Sequence, residues 1–296
     1  MKKINNIKIE IAEKAGFCFG VQRALDLTEK TVKNEVSVYC WGDLVHNPEV
    51  MNGLKEKGLR VVYNLKDFPE KAVFVVRSHG MNLEDLSFVE KKAIKIINTT
   101  CPFVIKAQNC AKKMKEEGFK VLLFGDKDHV EVKGINSRTA NSSLIVKDVK
   151  ELKENKAKLK GKIGIVCQTT QKNSKLKEIT DYLKKEGIDF QLNNTICLNT
   201  TKKQKEVANL NSDINVLVVI GGLHSSNTTK LAEIGRVKKI RTYHIEKAED
   251  ISKNWFKDEI KVFITAGAST PYEETEKAKK IIENFNFGIN KKSVII

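Results

Sequence analysis

The sequence predicts an α/β protein of three pseudo-repeated units, each with a small, mainly parallel sheet, arranged around a central cavity. Three observations predict it. Cys18, Cys101 and Cys197 recur at intervals of 83 and 96 residues, each after a short turn of small or polar residues and before a segment of helical periodicity. Counting 28 residues on from each cysteine reaches His46, His129 and Ser225, and each follows an apolar run ended by glycine. A second apolar run in each third breaks into polar residues at His79, Thr169 and Ser269.

The first unit, 14–98, opens on AGFCFGVQRAL, where Cys18 precedes a helix-like stretch. SVYCWG then reads as a buried strand leading to His46, and AVFVVRSHG as another leading to His79. The second unit, 99–195, repeats the order with TTCP at Cys101, KVLLFG before His129 and GKIGIVCQTT ending at Thr169. The third, 196–285, has NTIC at Cys197, NVLVVIGG before Ser225 and KVFITAGAST ending at Ser269; residues 1–13 and 286–296 read as terminal segments. Strands alternating with helical patterns imply parallel sheets, which bind ligands beyond the carboxyl ends of their strands. Three such edges facing one another would put all nine positions round one cavity.

A chain of 296 residues with 41% apolar content has enough material for real cores. The charged N-terminal stretch MKKINNIKIEIAEKAG lacks the apolar run of a secretory signal, and runs such as INVLVVIGGL are too short to span a bilayer. The expectation is a cytoplasmic protein with no membrane association. Six cysteines in that reducing compartment point to ligands, nucleophiles or buried thiols and away from a disulfide framework. The net charge of +16 invites a nucleic-acid partner. However, 47 of the 53 basic residues are Lys, and base-edge recognition leans on the fork of Arg, so no nucleic-acid partner is expected. Lysine alternates with Glu and apolar residues along stretches such as 146–162, as on a solvated helix face. The alternative is a docking surface for an acidic partner.

A helix start offers a thiolate unpaired backbone N–H groups and the positive end of the macrodipole, which prepares Cys18, Cys101 and Cys197 as metal ligands. Structural zinc sites draw on close pairs such as C-x2-C, and none occurs here. Three remote thiolates suit a cubane iron–sulfur cluster, which would keep one iron without a protein ligand, open to a substrate oxygen. The alternative is three ordinary buried thiols. That reading holds for Cys40 and Cys167, which lie inside apolar strand-like runs, and for Cys110 in mid-helix.

His46, His79, Ser225, Ser226, Asn227 and Ser269 all follow apolar strands, and two of the segments continue into helices with Ser, Thr or Asn at the cap. Such ends present N–H groups and hydroxyls to an anion such as phosphate, although plain N-capping explains any one of them. Glu131 lies two residues past His129, so in an extended stretch both side chains would point the same way. A carboxyl shielded from water beside an anionic ligand can hold a proton near neutral pH and act as a donor; a surface-loop glutamate is the alternative. Thr169 could orient a hydroxyl group or relay a proton.

Together AGFCFGV, WGDLVHNPEV, SHG, TTCP, HVEVKG, QTTQ, NTIC, GGLHSSNT and TAGASTP resemble the 4-hydroxy-3-methylbut-2-enyl diphosphate reductases, the LytB-type enzymes of the non-mevalonate isoprenoid pathway, from about residue 10 to about residue 285. The resemblance implies three α/β domains around one [4Fe–4S] cluster held by Cys18, Cys101 and Cys197, whose unique iron takes the C4 hydroxyl oxygen of the substrate. It implies that His46, His79, Ser225, Ser226, Asn227 and Ser269 hold the diphosphate, assisted by His129. It further implies that Glu131 delivers a proton, that Thr169 positions the hydroxyl, and that reduced ferredoxin or flavodoxin supplies two electrons. The products would be isopentenyl diphosphate and dimethylallyl diphosphate. Where the family pattern runs A-T-x-x-R-Q after the third cysteine, this chain has Asn199, Thr200, Lys203 and Gln204, so a bidentate contact is lost; His224 stands where Asn is usual. A cluster-bearing redox sensor, a basic RNA-binding module and a dehydratase or isomerase with an open-iron cluster are the other classes. The sensor would not need Glu131, and the dehydratase would consume no net electrons.

Overall fold

A computed structural model describes residues 7–256 and 260–286. Residues 1–6 and 287–296 of the expected terminal segments lie outside the described residues. The first third holds β1 (Ile7–Ile11), α1 (Phe19–Asn34), β2 (Val38–Trp41), α2 (Pro48–Glu56), β3 (Leu59–Val62), β4 (Val73–Val76), α3 (Leu83–Glu90) and β5 (Lys95–Asn98). The second holds α4 (Pro102–Glu116), β6 (Lys120–Phe124), α5 (Val130–Ser137), β7 (Leu144–Val146), α6 (Val149–Glu154), β8 (Ile163–Cys167), α7 (Asn173–Lys185) and β9 (Phe190–Asn193). α8 (Leu198–Ala208), β10 (Val216–Ile220), α9 (Ser226–Val237), β11 (Arg241–Ile245), β12 (Ile260–Ala266) and α10 (Tyr272–Asn286) complete it.

These strands form three four-stranded sheets in the orders β3-β2-β4-β5, β7-β6-β8-β9 and β1-β12-β10-β11, and every pairing is parallel. The predicted α/β class and the mainly parallel sheets are therefore observed. One expectation is corrected. Residues 7–11, read as part of a terminal segment, form an edge strand that pairs with β12, Ile7 opposite Ile260. The alternation IKIEI satisfies an edge with one covered face.

The chain divides into two compact units. One is built on the described parts of Met1–Cys18, His46–Pro48 and Lys202–Ile296, the other on Phe19–Val45 and Glu49–Thr201. In the first, Val216, Val218, Ile220, Val262 and Ile264 pack with Ala278 and Ile282 of α10 on one face. Leu217, Val219 and Phe263 pack with Val207 of α8 and Leu231 and Ala232 of α9 on the other. The second unit repeats this plan: Leu122, Phe124, Ile163 and Ile165 meet α7, whereas Val121, Leu123 and Val166 meet α4 and α5. Strands covered on both faces read as unbroken apolar runs, and VFVV, IGIVC and VLVVI are buried at every position. Each fully buried large aliphatic side chain contributes roughly 1.5–3 kcal/mol, so these runs supply much of the driving force. With both faces covered, polar chemistry is confined to the strand ends.

Candidate active site

Pro102 disfavours a helical conformation at Cys101, which ends the extended segment after β5 and becomes the N-cap of α4 with φ −59° and ψ 133°. The Cys101 N–H donates to Ser78 O at 2.9 Å, so the second cysteine is fastened beside His79. A methyl group added at Gly20, the second residue of α1, would stand 2.4 Å from Cys101 Sγ, so only glycine lets α1 approach this sulfur. The Cys197 N–H donates to Thr169 O at 2.8 Å, and α8 begins at the next residue.

Thr169 in turn grips Glu131. Its backbone N–H donates to Oε1 at 2.6 Å and its hydroxyl is 2.9 Å from Oε2, while Glu131 itself is only 1% exposed. The surface-loop reading of Glu131 is excluded. The expected extended stretch is also corrected: α5 starts here, with His129 as its N-cap and Glu131 in its first turn. His129 Nδ1 accepts the Glu131 N–H at 3.1 Å, which fixes the ring tautomer with any proton on Nε2. The His79 ring meets the His129 ring edge-on, centroids 5.7 Å apart. Within this unit one connected set thus links Cys197, Thr169, Glu131, His129, His79 and, through Ser78, Cys101.

The other unit assembles the remaining predicted residues. The Cys18 N–H donates to Ala268 O at 3.0 Å, and the neighbouring Ser269 hydroxyl donates to His46 O at 3.1 Å. Gly222 lies so close to His46 that an added methyl group would be 2.5 Å from its carbonyl oxygen. Ser225 is the N-cap of α9 and accepts the Thr228 N–H; Ser226 accepts from Lys230 Nζ at 2.8 Å. Asn227, in the first turn, is 4% exposed and both polar atoms of its side chain are buried without a hydrogen-bond partner. A buried amide in that state costs about 1–3 kcal/mol, which a polar ligand at this helix end would offset.

The thiols fall into two kinds. No disulfide joins any of the six cysteines. Burial in β8 and β2 pushes the Cys167 and Cys40 thiols up to about 12, so both stay protonated and act as small apolar groups. Cys18, Cys101 and Cys197 are instead partly exposed at helix starts; Cys110, expected to be buried, is also partly exposed but sits in the middle of α4. Among the described residues no three His, Cys, Asp or Glu side chains are grouped to hold a single metal ion.

The family model described as LytB protein matches residues 9–283. The chain belongs to the LytB family. It is 40% identical over 266 residues to the 4-hydroxy-3-methylbut-2-enyl diphosphate reductase of Syntrophotalea carbinolica, covering 90% of this chain and 94% of that one. It is 36% identical over 277 residues to the Helicobacter pylori protein of the same name, covering 93% and 99%. The structure of the E-1-hydroxy-2-methyl-but-2-enyl-4-diphosphate reductase from Plasmodium falciparum superimposes with a TM-score of 0.90 at 27% identity, covering 95% of this chain and 90% of that one. A structure of (E)-4-hydroxy-3-methyl-but-2-enyl diphosphate reductase, described as the terminal enzyme of the non-mevalonate pathway, gives 0.67 at 35% identity, covering 94% and 99%.

Two features of this LytB chain escaped the sequence. Lys203, seen there only as a departure from an Arg pattern, is 3% exposed, and its ammonium donates to Gly16 O at 2.9 Å and Ala266 O at 3.1 Å. Burial pulls that ammonium down to about 8, against the opposing pull of Cys18 and Glu206. In a helix with three lysines no local signal marks the one that turns inward. Gly20 is the other, since a lone glycine in a helical pattern signals a close approach without naming the partner.

Proposed function

We propose that this chain reduces (E)-4-hydroxy-3-methylbut-2-enyl diphosphate to isopentenyl diphosphate and dimethylallyl diphosphate. The observation that carries the reading is the buried Glu131 carboxyl joined to Thr169 by two hydrogen bonds and followed directly by Cys197 on the Thr169 carbonyl. The names of the relatives support the substrate.

The donor set suits a [4Fe–4S] cluster held by Cys18, Cys101 and Cys197: three partly exposed thiols at helix starts, with Gly20 leaving Cys101 Sγ room that a methyl group would occupy. When bound, such a cluster supplies the two electrons of the reduction one at a time. The protein moves protons and holds charge. Thr169 N–H can only donate, so Glu131 Oε1 is held as an acceptor; the Thr169 hydroxyl donates to Oε2, and a carboxyl proton carried on Oε2 reverses that hydrogen bond toward the hydroxyl. That hydroxyl both accepts and donates, so it passes the Oε2 proton to the departing substrate hydroxyl, which leaves as water; a second proton completes the carbon skeleton at either of two positions.

The diphosphate is assigned to Ser225, Ser226 and Asn227 at the start of α9, with His46 and Ser269, and with His79 and His129 as further polar partners. Asn227 supplies the clearest reason, because its buried amide has polar atoms to satisfy. The electron donor is assigned as reduced ferredoxin or flavodoxin, acidic carriers that suit a chain of net charge +16. Anaerobic turnover with dithionite-reduced viologen tests the reaction: two electrons are expected per molecule of substrate consumed. Substrate loss without electron consumption would make the chain a dehydratase or isomerase, and a fully clustered protein with no turnover would leave the sensor reading.

A further inference from the structure

We infer that Lys203 is a positioning residue: it clamps the Cys18 loop to the end of β12 and places its ammonium on the Gly16 carbonyl, two residues before Cys18, so that a cluster held there is biased toward its reduced form. The second half of this inference rests on the proposed cluster.

The parallel pairing of β1 with β12 continues as far as the Ala12 N–H, which donates to Ile264 O at 2.8 Å. Beyond it the two segments are rejoined when the Cys18 N–H reaches Ala268 O at 3.0 Å. Between those points stand the Gly16 and Ala266 carbonyls, and the Lys203 ammonium binds both from α8. Carbonyl oxygens only accept, and an ammonium only donates, so a single buried cation closes the gap. One turn further along α8, Glu206 Oε1 accepts the Glu13 N–H at 2.6 Å. Lys203 and Glu206 therefore grip both ends of the loop Glu13–Gly16 that delivers Cys18.

The choice of a charged clamp carries information. Burying an ammonium is costly unless negative charge is near. Glu206, three residues along the same helix and holding the Glu13 N–H, is one such charge, and a thiolate-bound group at Cys18 would be another. A thiolate-bound group gains negative charge on reduction, so a nearby fixed cation favours the reduced form. Glu206 acts with the opposite sign.

Two readouts test this. Hydrogen exchange of the metal-free full-length chain should show residues 12–18 exchanging about tenfold faster in Lys203→Met than in the wild type, as expected when a clamp worth about 1.4 kcal/mol is lost, and near wild-type rates in Lys203→Arg. Potentiometric titration of the cluster-loaded protein should show the Lys203→Met potential moved to more negative values, with Lys203→Arg again close to wild type. Unchanged exchange or an unmoved potential in a folded Lys203→Met protein overturns the inference. Should that variant not fold, Glu206→Gln decides: a shift to more positive potential supports the charge effect, and no shift overturns it. If the wild type itself binds no iron and sulfide on anaerobic reconstitution, the cluster reading fails, while the exchange experiment still judges the clamp.

Discussion

A glutamate that is 1% exposed and pinned at both oxygens by one threonine has no freedom to serve as a surface charge. Replacement by glutamine keeps the shape and removes the proton. Glu131→Gln is therefore expected to retain iron, sulfide and substrate affinity while turnover falls about 10²–10⁴-fold, the range for loss of a positioned acid. Iron analysis, a binding titration and steady-state rates check it, and a normal rate would remove Glu131 from the proton path. Thr169→Val deletes the hydroxyl but leaves the backbone N–H on Oε1. Loss of one such contact, about 1–3 kcal/mol, corresponds to a rate decrease of roughly ten- to hundredfold. Equal rates for this variant and the wild type would show that the hydroxyl relays nothing. The residue types at these positions were legible in the sequence because proton donors and hydroxyls follow strand ends there. The helical start at Glu131 was not, because DHVEVKG alternates like an extended segment until His129 caps it into a helix.

At the level of elements, the inner strands were readable because coverage on both faces demands unbroken apolar runs, as in β8 and β10. β1 was not, since an edge strand needs only every second residue apolar and its charges resemble those of a polar terminus. α1 carries its own prediction. A methyl group at Gly20 collides with Cys101 Sγ, so Gly20→Ala should reduce bound iron and sulfide sharply while helical content, measured by circular dichroism, stays the same. Full iron content in that variant would show that the sulfur can move aside. The buried strand thiols predict an alkaline weakness. Cys167 in β8 and Cys40 in β2 are raised to about 12, so above pH 9 the unfolded chain releases their protons while the folded chain keeps them. Stability should then fall with rising pH by about 1.4 kcal/mol per unit for each thiol until the folded values are reached. Urea midpoints of the metal-free chain between pH 8.5 and 11 test it. The Cys40→Ala/Cys167→Ala double variant should show the shallower slope, and parallel curves would refute the assignment.

Over the whole molecule, charge is the property that no single element explains. The chain carries 53 basic against 37 acidic residues, a net charge of +16, yet many lysines are spent on local surface pairs such as Lys57 with Glu29 and Lys147 with Glu151. Exposed pairs of this kind contribute at most about 1 kcal/mol each, so the surplus charge is better explained by its field than by stability. A positive field accelerates encounter with an acidic carrier, and ions screen it over about 10 Å at 0.1 M salt. Two reductants should therefore diverge. With reduced ferredoxin or flavodoxin, kcat/KM is expected to fall by roughly tenfold or more between 0.05 and 0.5 M salt, the behaviour of a steered encounter. With a reduced viologen, which is not acidic, the same change should leave the rate level or slightly higher. Stopped-flow reduction at matched driving force separates the cases, because salt that damaged the fold would depress both reductants alike. Superimposable salt curves for the two would mean that the net charge plays no part in delivering electrons.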